Sequence, residues 1–231
     1  MRKQASARSW AGLPVVLQRG SQHGLYSRAV ATTVYYCASS LDGYIAEADD
    51  SLDWLLGYQG SFEQEAAEPD PMSDGGAYEG FYAGVRALVA GSATYEWILG
   101  HLDVASGGQW PYRGKPCWVL SSRELRVPEG EGVDVRIVDA SVGELYGEMA
   151  AAAGDGVLWV VGGGGVASQF ADDGLLDEVH LTVVPVVLGA GKPLFERRLP
   201  SGSMQLTGTR AFRNGMVELR YEIRPGQDAG R

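Results

Sequence analysis

The sequence predicts an α/β fold: a mainly parallel central sheet flanked by helices, closed at its C-terminal end by an antiparallel hairpin. Three observations carry this. Apolar runs of strand length alternate with segments of helical spacing along most of the chain, the pattern of strands buried on both faces by crossover helices. The run Val157-Leu158-Trp159-Val160-Val161 ends in four glycines, Gly162 to Gly165, and passes straight into the helically spaced Val166 to Phe170, which reads as a buried strand turning into a helix. Near the C-terminus, Ser203 to Phe212 and Met216 to Ile223 flank Asn214-Gly215, a hairpin signal.

Taken in order, residues 1–31 hold Arg2, Lys3, Arg8, Arg19 and Arg28 and no acid. This segment reads as a transit-peptide-like stretch, a disordered tail or an over-long start, and is set aside from the fold. The domain is expected over residues 32–225, with 226–231 as a tail. Thr33 to Ser40 is rich in β-branched and aromatic residues and forms the first strand. Leu41 to Ala46 follows, with Asp42-Gly43 as its turn and Asp42 a turn residue ahead of an acid catalyst. Asp49 to Gly57 reads as a short helix with Asp49 or Asp50 as N-cap. The acidic stretch from Gly60 to Gly76, with Pro69 and Pro71, is a long loop.

Tyr78 to Val85 has helical spacing, Ala87 to Ala90 is a short buried strand ending at Gly91, and Ser92 can cap a following helix. Pro116 to Leu120 and Val133 to Val138 are further strands. Ser141 to Ala153 is a helix: Ser141 caps it, Glu144 three residues on completes a capping box, and Gly154 ends it. Asp177 to Leu188 reads as one long strand in which Pro185 marks an edge or a bulge, with Asp177 and Glu178 capping or pairing at its start. No internal repeat and no second domain is apparent.

The chain has 231 residues, 45% of them hydrophobic, enough for one domain with a full core. Its formal charge of −10 argues against nucleic acid or an anionic membrane as partner. No apolar run approaches the ~20 residues that span a bilayer. Cys37 and Cys117 each sit in a strand-like apolar run and read as reduced, inert core residues of a cytoplasmic protein. His23, His101 and His180 stand at no metal-ligand spacing, so no metal site is expected, and His101 and His180 read as surface or strand residues. Trp54, Tyr58, Tyr78, Phe81 and Tyr82 could wall a flat heterocycle, but the simpler reading makes most of them core.

The glycine corner carries the chemistry. Without side chains there, backbone N–H groups at the start of the helix can meet an anion, and the helix end adds partial positive charge. That describes a pyrophosphate site; tight packing alone explains such a turn equally well.

Four segments in order resemble the dihydrofolate reductase superfamily, above all the branch that includes the bacterial riboflavin-pathway reductase domain. They are Ser40 to Ala46; Val89-Ala90-Gly91-Ser92-Ala93-Thr94-Tyr95-Glu96; Val119 to Leu125, containing Ser121-Ser122-Arg123; and Val160 through the glycines to Phe170, continuing to Asp177 to Thr182. Pro185 to Phe195 is typical of stand-alone members. The resemblance implies a single domain that binds NADPH across the ends of its parallel strands. It implies Ala38 and Ile45 at the nicotinamide, and Gly91, Ser92 and Thr94 at the phosphates. Ser121, Ser122 and Arg123 fall at the adenosine 2′-phosphate, and Gly162, Gly163, Gly164, Gly165 and Val166 over the pyrophosphate. Thr182 falls on the substrate side.

The departures from that pattern are as informative. Ser92 stands where the family usually has arginine, and Gly165 where many dihydrofolate reductases have another basic residue, which leaves Arg123 as the arginine for a 2′-phosphate and opens the site to NADH. The carboxylate of dihydrofolate reductases falls near Ala77, with Asp74 and Glu79 close by but off register, and the acid of the riboflavin-pathway enzymes at Val161. Asp74, Glu79 and Thr182 are the remaining catalytic candidates. The resemblance therefore implies an NAD(P)H-dependent reductase that transfers hydride to a small pterin-like, pyrimidine-like or imine-type substrate, in a homodimer paired through its C-terminal strands. The alternative is a nucleotide-binding or scaffold protein on the same fold without turnover.

Overall fold

The computed structural model describes residues 31–58, 77–101, 109–212 and 214–224. The readings on residues 1–30, on the Gly60 to Gly76 loop with Asp74, and on the tail lie outside them. In chain order the elements are β1 (Thr32–Ser40), β2 (Tyr44–Ala46), α1 (Asp53–Leu56), α2 (Ala77–Gly84), β3 (Val85–Gly91), α3 (Ser92–His101), β4 (Pro116–Leu120) and β5 (Asp134–Val138). Then follow α4 (Val142–Ala153), β6 (Val157–Gly162), α5 (Gly164–Asp172), β7 (Glu178–Val184), β8 (Lys192–Pro193), β9 (Met204–Ala211) and β10 (Val217–Ile223).

Eight strands form one sheet in the order β5-β4-β3-β6-β1-β7-β10-β9. The six from β5 to β7 run parallel, β10 is antiparallel to β7, and β9 at the edge is antiparallel to β10. This is the expected architecture, and its cause is the strict alternation of apolar side chains along the central strands. On β6, Leu158 and Val160 enter one core together with Met149 of α4 and Phe170 of α5. Trp159 and Val161 enter the other, with Tyr95 and Ile98 of α3 and Phe81 and Tyr82 of α2. Trp118 and Val119 on β4 divide in the same way. A strand that is apolar on both faces has to be covered on both.

Helix α4 is closed as its sequence specifies. The Ser141 hydroxyl accepts from the Glu144 backbone N–H, and the Glu144 carboxylate accepts from the Ser141 N–H at 2.8 Å. Gly154 ends the helix at φ 63°. At the hairpin, Gly215 adopts φ 88° and the Asn214 side chain accepts from Met216 N–H at 3.1 Å.

Two expectations need correction, and one pairing was not foreseen. The helix read over Asp49 to Gly57 forms only from Asp53 to Leu56 and is entered from Leu52 without a side-chain cap. Asp49 accepts instead from Ser51 N–H at 3.1 Å, and Asp50 takes a left-handed φ of 68°; short polar side chains that bond the local backbone favour turns over helix. The long strand ends at Val184, flanked by β1 and β10, so Pro185 is neither edge nor bulge but stands just past the end, as fits a residue with no N–H to donate. Finally, β2 pairs with the two-residue β8 in a separate small antiparallel sheet, an element too short to leave a periodic signal.

Asp177 closes the start of the sheet by accepting from Thr33 N–H at 2.7 Å, and burial raises its pKa. Replacing the α4 cap is the local test of the fold. Ser141→Ala is expected to lower stability by about 1 kcal/mol, read as a lower urea midpoint with an unchanged denaturant slope.

Candidate active site

Strand β6 lies between β3 and β1, so the carboxyl ends of three strands from distant parts of the chain meet at one place. Open α/β sheets bind ligands at such a point. Here β3 runs directly into α3 at Gly91-Ser92, and β6 into α5 at Gly162 to Gly164, so two helix N-termini face the same crevice.

Two of the four glycines, Gly162 and Gly164, are required by conformation or close approach. Gly162 has φ 147°, and a β-carbon on it would sit 3.2 Å from the Thr94 hydroxyl. The Gly162–Gly163 peptide is cis. A β-carbon on Gly164 would fall against the carbonyl oxygens of Pro193 and Leu194, the second at 2.9 Å. Gly163 caps α5, accepting from Val166 and Ala167 N–H. Glycine here serves close approach and leaves the start of α5 without side chains of its own, the Glu196 carboxylate packing beside Gly165 with Oε2 3.0 Å from where a β-carbon would lie.

A cavity of about 520 Å³ opens on this corner. Of the residues expected at a coenzyme, it is lined by Ala38, Ile45, Gly91, Ser92, Thr94, Gly162, Gly163, Gly164, Gly165 and Val166. The wall at Ile45 is held by an acid the sequence reads as a turn residue. Asp42 accepts from the Ser40 hydroxyl at 2.7 Å and from Leu188 and Gly189 N–H at 3.1 and 2.7 Å. The Ser40 bond and then those backbone donors hold its carboxyl below the usual range.

Other expected residues lie elsewhere. Ser121, Ser122 and Arg123 follow Leu120, the last residue of β4 at the cavity wall. Ser121 accepts from Arg123 N–H at 3.0 Å, which turns the chain, and the Arg123 guanidinium forks onto the Glu96 carboxylate at 3.2 and 2.6 Å. Thr182 does not line the cavity. It is 2% exposed and in register with Ala38 on one side and Glu218 on the other. Its side chain hydrogen-bonds the Tyr36 phenol, which donates to Glu218 at 3.2 Å. Burial and then the Glu218 charge raise the Tyr36 pKa well above its ordinary value. Arg220 bonds the other Glu218 oxygen at 2.7 Å. Glu79 is exposed on α2.

The five aromatic residues considered as a substrate wall do not line the cavity. Phe81 and Tyr82 pack into the core against Trp159, and Tyr58 donates to the Asn214 carbonyl. His180 is a strand residue, bonded to Glu178 at 2.7 Å, and His101 stacks on Trp97 at 4.6 Å. Cys37 borders the cavity, yet burial pushes its thiol up to about 12. Cys117 is likewise raised to about 12 by burial.

Sequence reasoning passed over half of the wall. Leu52, Leu55, Trp97, Ile98, Tyr112, Val161 and Gln169 line it, with Asp50, Lys192 and Glu196 as its charged groups. Tyr112 is fixed edge-on between Trp110 at 5.3 Å and Trp159 at 5.5 Å. Its burial raises the phenol pKa well above the ordinary value, so it is a neutral hydrogen-bond donor. Its one signal was a place in the aromatic run Trp110-Pro111-Tyr112 ahead of β4. Among the described residues, no group of three or more His, Cys, Asp or Glu is placed to hold a metal ion, and no helix is long and apolar enough to cross a membrane.

Comparison with known proteins places this geometry. Residues 31–218 match the family model of the RibD C-terminal domain. The uncharacterized protein YwjB of Bacillus subtilis (strain 168) is 32% identical over 190 residues, 82% of this chain and 96% of that protein. A candidate riboflavin biosynthesis protein from Shewanella sp. PV-4 matches with a TM-score of 0.64 at 26% identity, over 84% of this chain and 99% of that one. The dihydrofolate reductase of Enterococcus faecalis, solved with NADP(H), shares the fold at a TM-score of 0.51 and 16% identity, over 85% and 99% of the two chains.

Two glycine substitutions test the corner. Gly164→Ala sets a methyl against fixed backbone carbonyls and is expected to lower stability by roughly 1–3 kcal/mol. Gly91→Ala has the Val166 methyl at 3.2 Å as its one tight contact, with backbone of Gly163 and Gly162 no nearer than 3.7 Å, and is expected to lose less than Gly164→Ala, since a shift of a few tenths of an ångström relieves it. Thermal melts of the two variants side by side check the order.

Proposed function

Because the chain belongs to the RibD C-terminal domain family, we propose that it is an NAD(P)H-dependent reductase transferring hydride to a small pterin-like, pyrimidine-like or imine-type acceptor, similar to 5-amino-6-(5-phosphoribosylamino)uracil reductase. The observation that carries this reading is the convergence of two bare helix starts, at Ser92 and Gly164, on one cavity beside Ala38 and Ile45. Unpaired N–H groups and the helix dipoles suit a pyrophosphate, and the missing side chain at Gly163, whose nearest neighbours are Ile45 and Thr94 at 3.7 and 3.8 Å from a β-carbon position, leaves room for it.

The residues present fit the coenzyme. The N-terminal turns of α3 and α5, with the Thr94 hydroxyl between them, would hold its phosphates, and Ala38 and Ile45 would flank its ring. The bound coenzyme supplies the hydride. The chain contributes position and dryness: Val161, Ile98, Trp97 and Tyr112 form an apolar wall that excludes water from the acceptor side. The Tyr112 phenol, neutral across the physiological range, offers a hydrogen bond to an acceptor atom. A cytoplasmic homodimer paired through the C-terminal strands belongs to the same proposal.

A second reading, a nucleotide-binding or scaffold protein without turnover, is favoured by one observation. The two positions at which this superfamily carries its acid hold Ala77 and Val161.

Titration with NADPH and NADH, followed by thermal shift, separates these readings from error. Either coenzyme is expected to raise the melting temperature, and Thr94→Val is expected to weaken binding about 2- to 10-fold by removing one hydrogen bond. No shift with either coenzyme at millimolar concentration removes the coenzyme reading. Binding without coenzyme oxidation across a panel of pterins, pyrimidines and cyclic imines selects the second.

A further inference from the structure

We propose that Glu96 and Arg123 together select the coenzyme, so that the chain accepts a dinucleotide lacking the 2′-phosphate at least as well as one that carries it. The inference rests on the dinucleotide reading above and names the residues that decide which dinucleotide is taken.

The pair bridges the two elements that border the cavity at the β4 end. Leu120 lines the cavity, and the Ser121 turn brings Arg123 back over α3. Glu96 belongs to α3, which also carries the cavity-lining Thr94 and Trp97, while the side chains of Glu96 and Arg123 themselves lie outside the cavity lining. The guanidinium donates through Nη1 to Oε1 at 3.2 Å and through Nη2 to Oε2 at 2.6 Å. That fork is the geometry in which arginine holds a phosphate, and here a carboxylate already occupies it.

The other charges at the cavity do not make up the loss. Its charged side chains are Asp50, Glu196 and Lys192, and the lysine lies 3.4 Å from Asp50. The two helix starts direct their charge at Gly91 to Thr94 and Gly163 to Val166; Gly91 is in register with Leu120 at the end of β4, but a helix start offers only a partial charge where a free arginine would offer a full one. The whole chain carries −10. A phosphate approaching Arg123 therefore meets the Glu96 carboxylate beside it, and the like charges repel. A ribose 2′-hydroxyl, by contrast, can donate to that carboxylate. An acid that accepts from the ribose hydroxyl is how other dinucleotide folds recognise the unphosphorylated coenzyme.

Glu96 can be changed without disturbing the fold. The side chains are 57% and 45% exposed for Arg123 and Glu96, and an ion pair so open to water adds little to stability.

Calorimetric titration of wild type, Glu96→Gln and Arg123→Gln with NADH, NADPH and 2′,5′-ADP tests the proposal, with Arg126→Gln, on the same loop, as a control. Wild type is expected to bind NADPH no tighter than NADH. Glu96→Gln is expected to tighten NADPH and 2′,5′-ADP about tenfold while leaving NADH unchanged or weaker. Adding Arg123→Gln to that variant should cancel the gain, and Arg126→Gln should not. Wild type binding NADPH about tenfold or more tighter than NADH, or an NADPH-to-NADH ratio unmoved by Glu96→Gln, overturns the selector and leaves the reductase reading intact. Absence of heat with both coenzymes overturns the dinucleotide reading and the selector with it.

Discussion

At Gly164 the first turn of α5 rests on the carbonyl oxygens of Pro193 and Leu194, with no space for a methyl group between them. The contact is backbone on backbone, and much of the site's shape follows from it. It sets the depth at which α5 begins, and hence where its unpaired N–H groups point. It also fixes the 193–194 stretch, whose neighbour Lys192 pairs through β8 with Ala46 of β2. Ile45 is thereby held opposite the glycines, its Cδ1 3.7 Å from where a Gly163 β-carbon would lie. A single side-chain atom at position 164 would push these parts away from one another.

The layered sheet was legible in the sequence because burial on both faces leaves a strong mark. Val157 to Val161 and Pro116 to Leu120 are apolar at nearly every position, and a capping box or an Asn-Gly pair says where the neighbouring element starts or turns. What was not legible has a common physical character. Tyr112 reaches the cavity from a segment with no regular period, and Leu52 and Leu55 from the cap and body of a helix of a single turn, too short for its spacing to say which face meets the site. Asp49 and Asp50 carry the same composition as a helix cap, and only the competing bonds to the local backbone make them a turn. Thr182 has the right position along the sheet, but register with Glu218 and the Tyr36 phenol turns its hydroxyl into a buried network.

The electrostatics of the site are divided between backbone and side chains. Positive potential comes from two helix starts, which are fixed by the fold and owe nothing to residue identity at the surface. The side chains add Asp50, Glu196 and Lys192, and Arg123 is engaged by Glu96. A chain this acidic can still present a local anion site, because peptide dipoles a few ångströms away outweigh screened charges farther off. What the backbone cannot supply is a full positive charge aimed at one additional phosphate. The discrimination among anions falls to the few charged side chains at the rim.

The Asp42 carboxylate joins the turn after β1 to Leu188 and Gly189, 146 and 147 residues away in the chain. Closing so large a loop costs conformational entropy that local contacts cannot recover, so pairings of this separation form after nearer ones. In a chain emerging from synthesis the residues of β3, α3 and β4 appear long before the segment that completes the wall exists. The pocket is thus a late product of assembly, absent from any truncated intermediate. Occupancy by a small molecule would draw the last docking step forward, stabilising only chains that have finished folding.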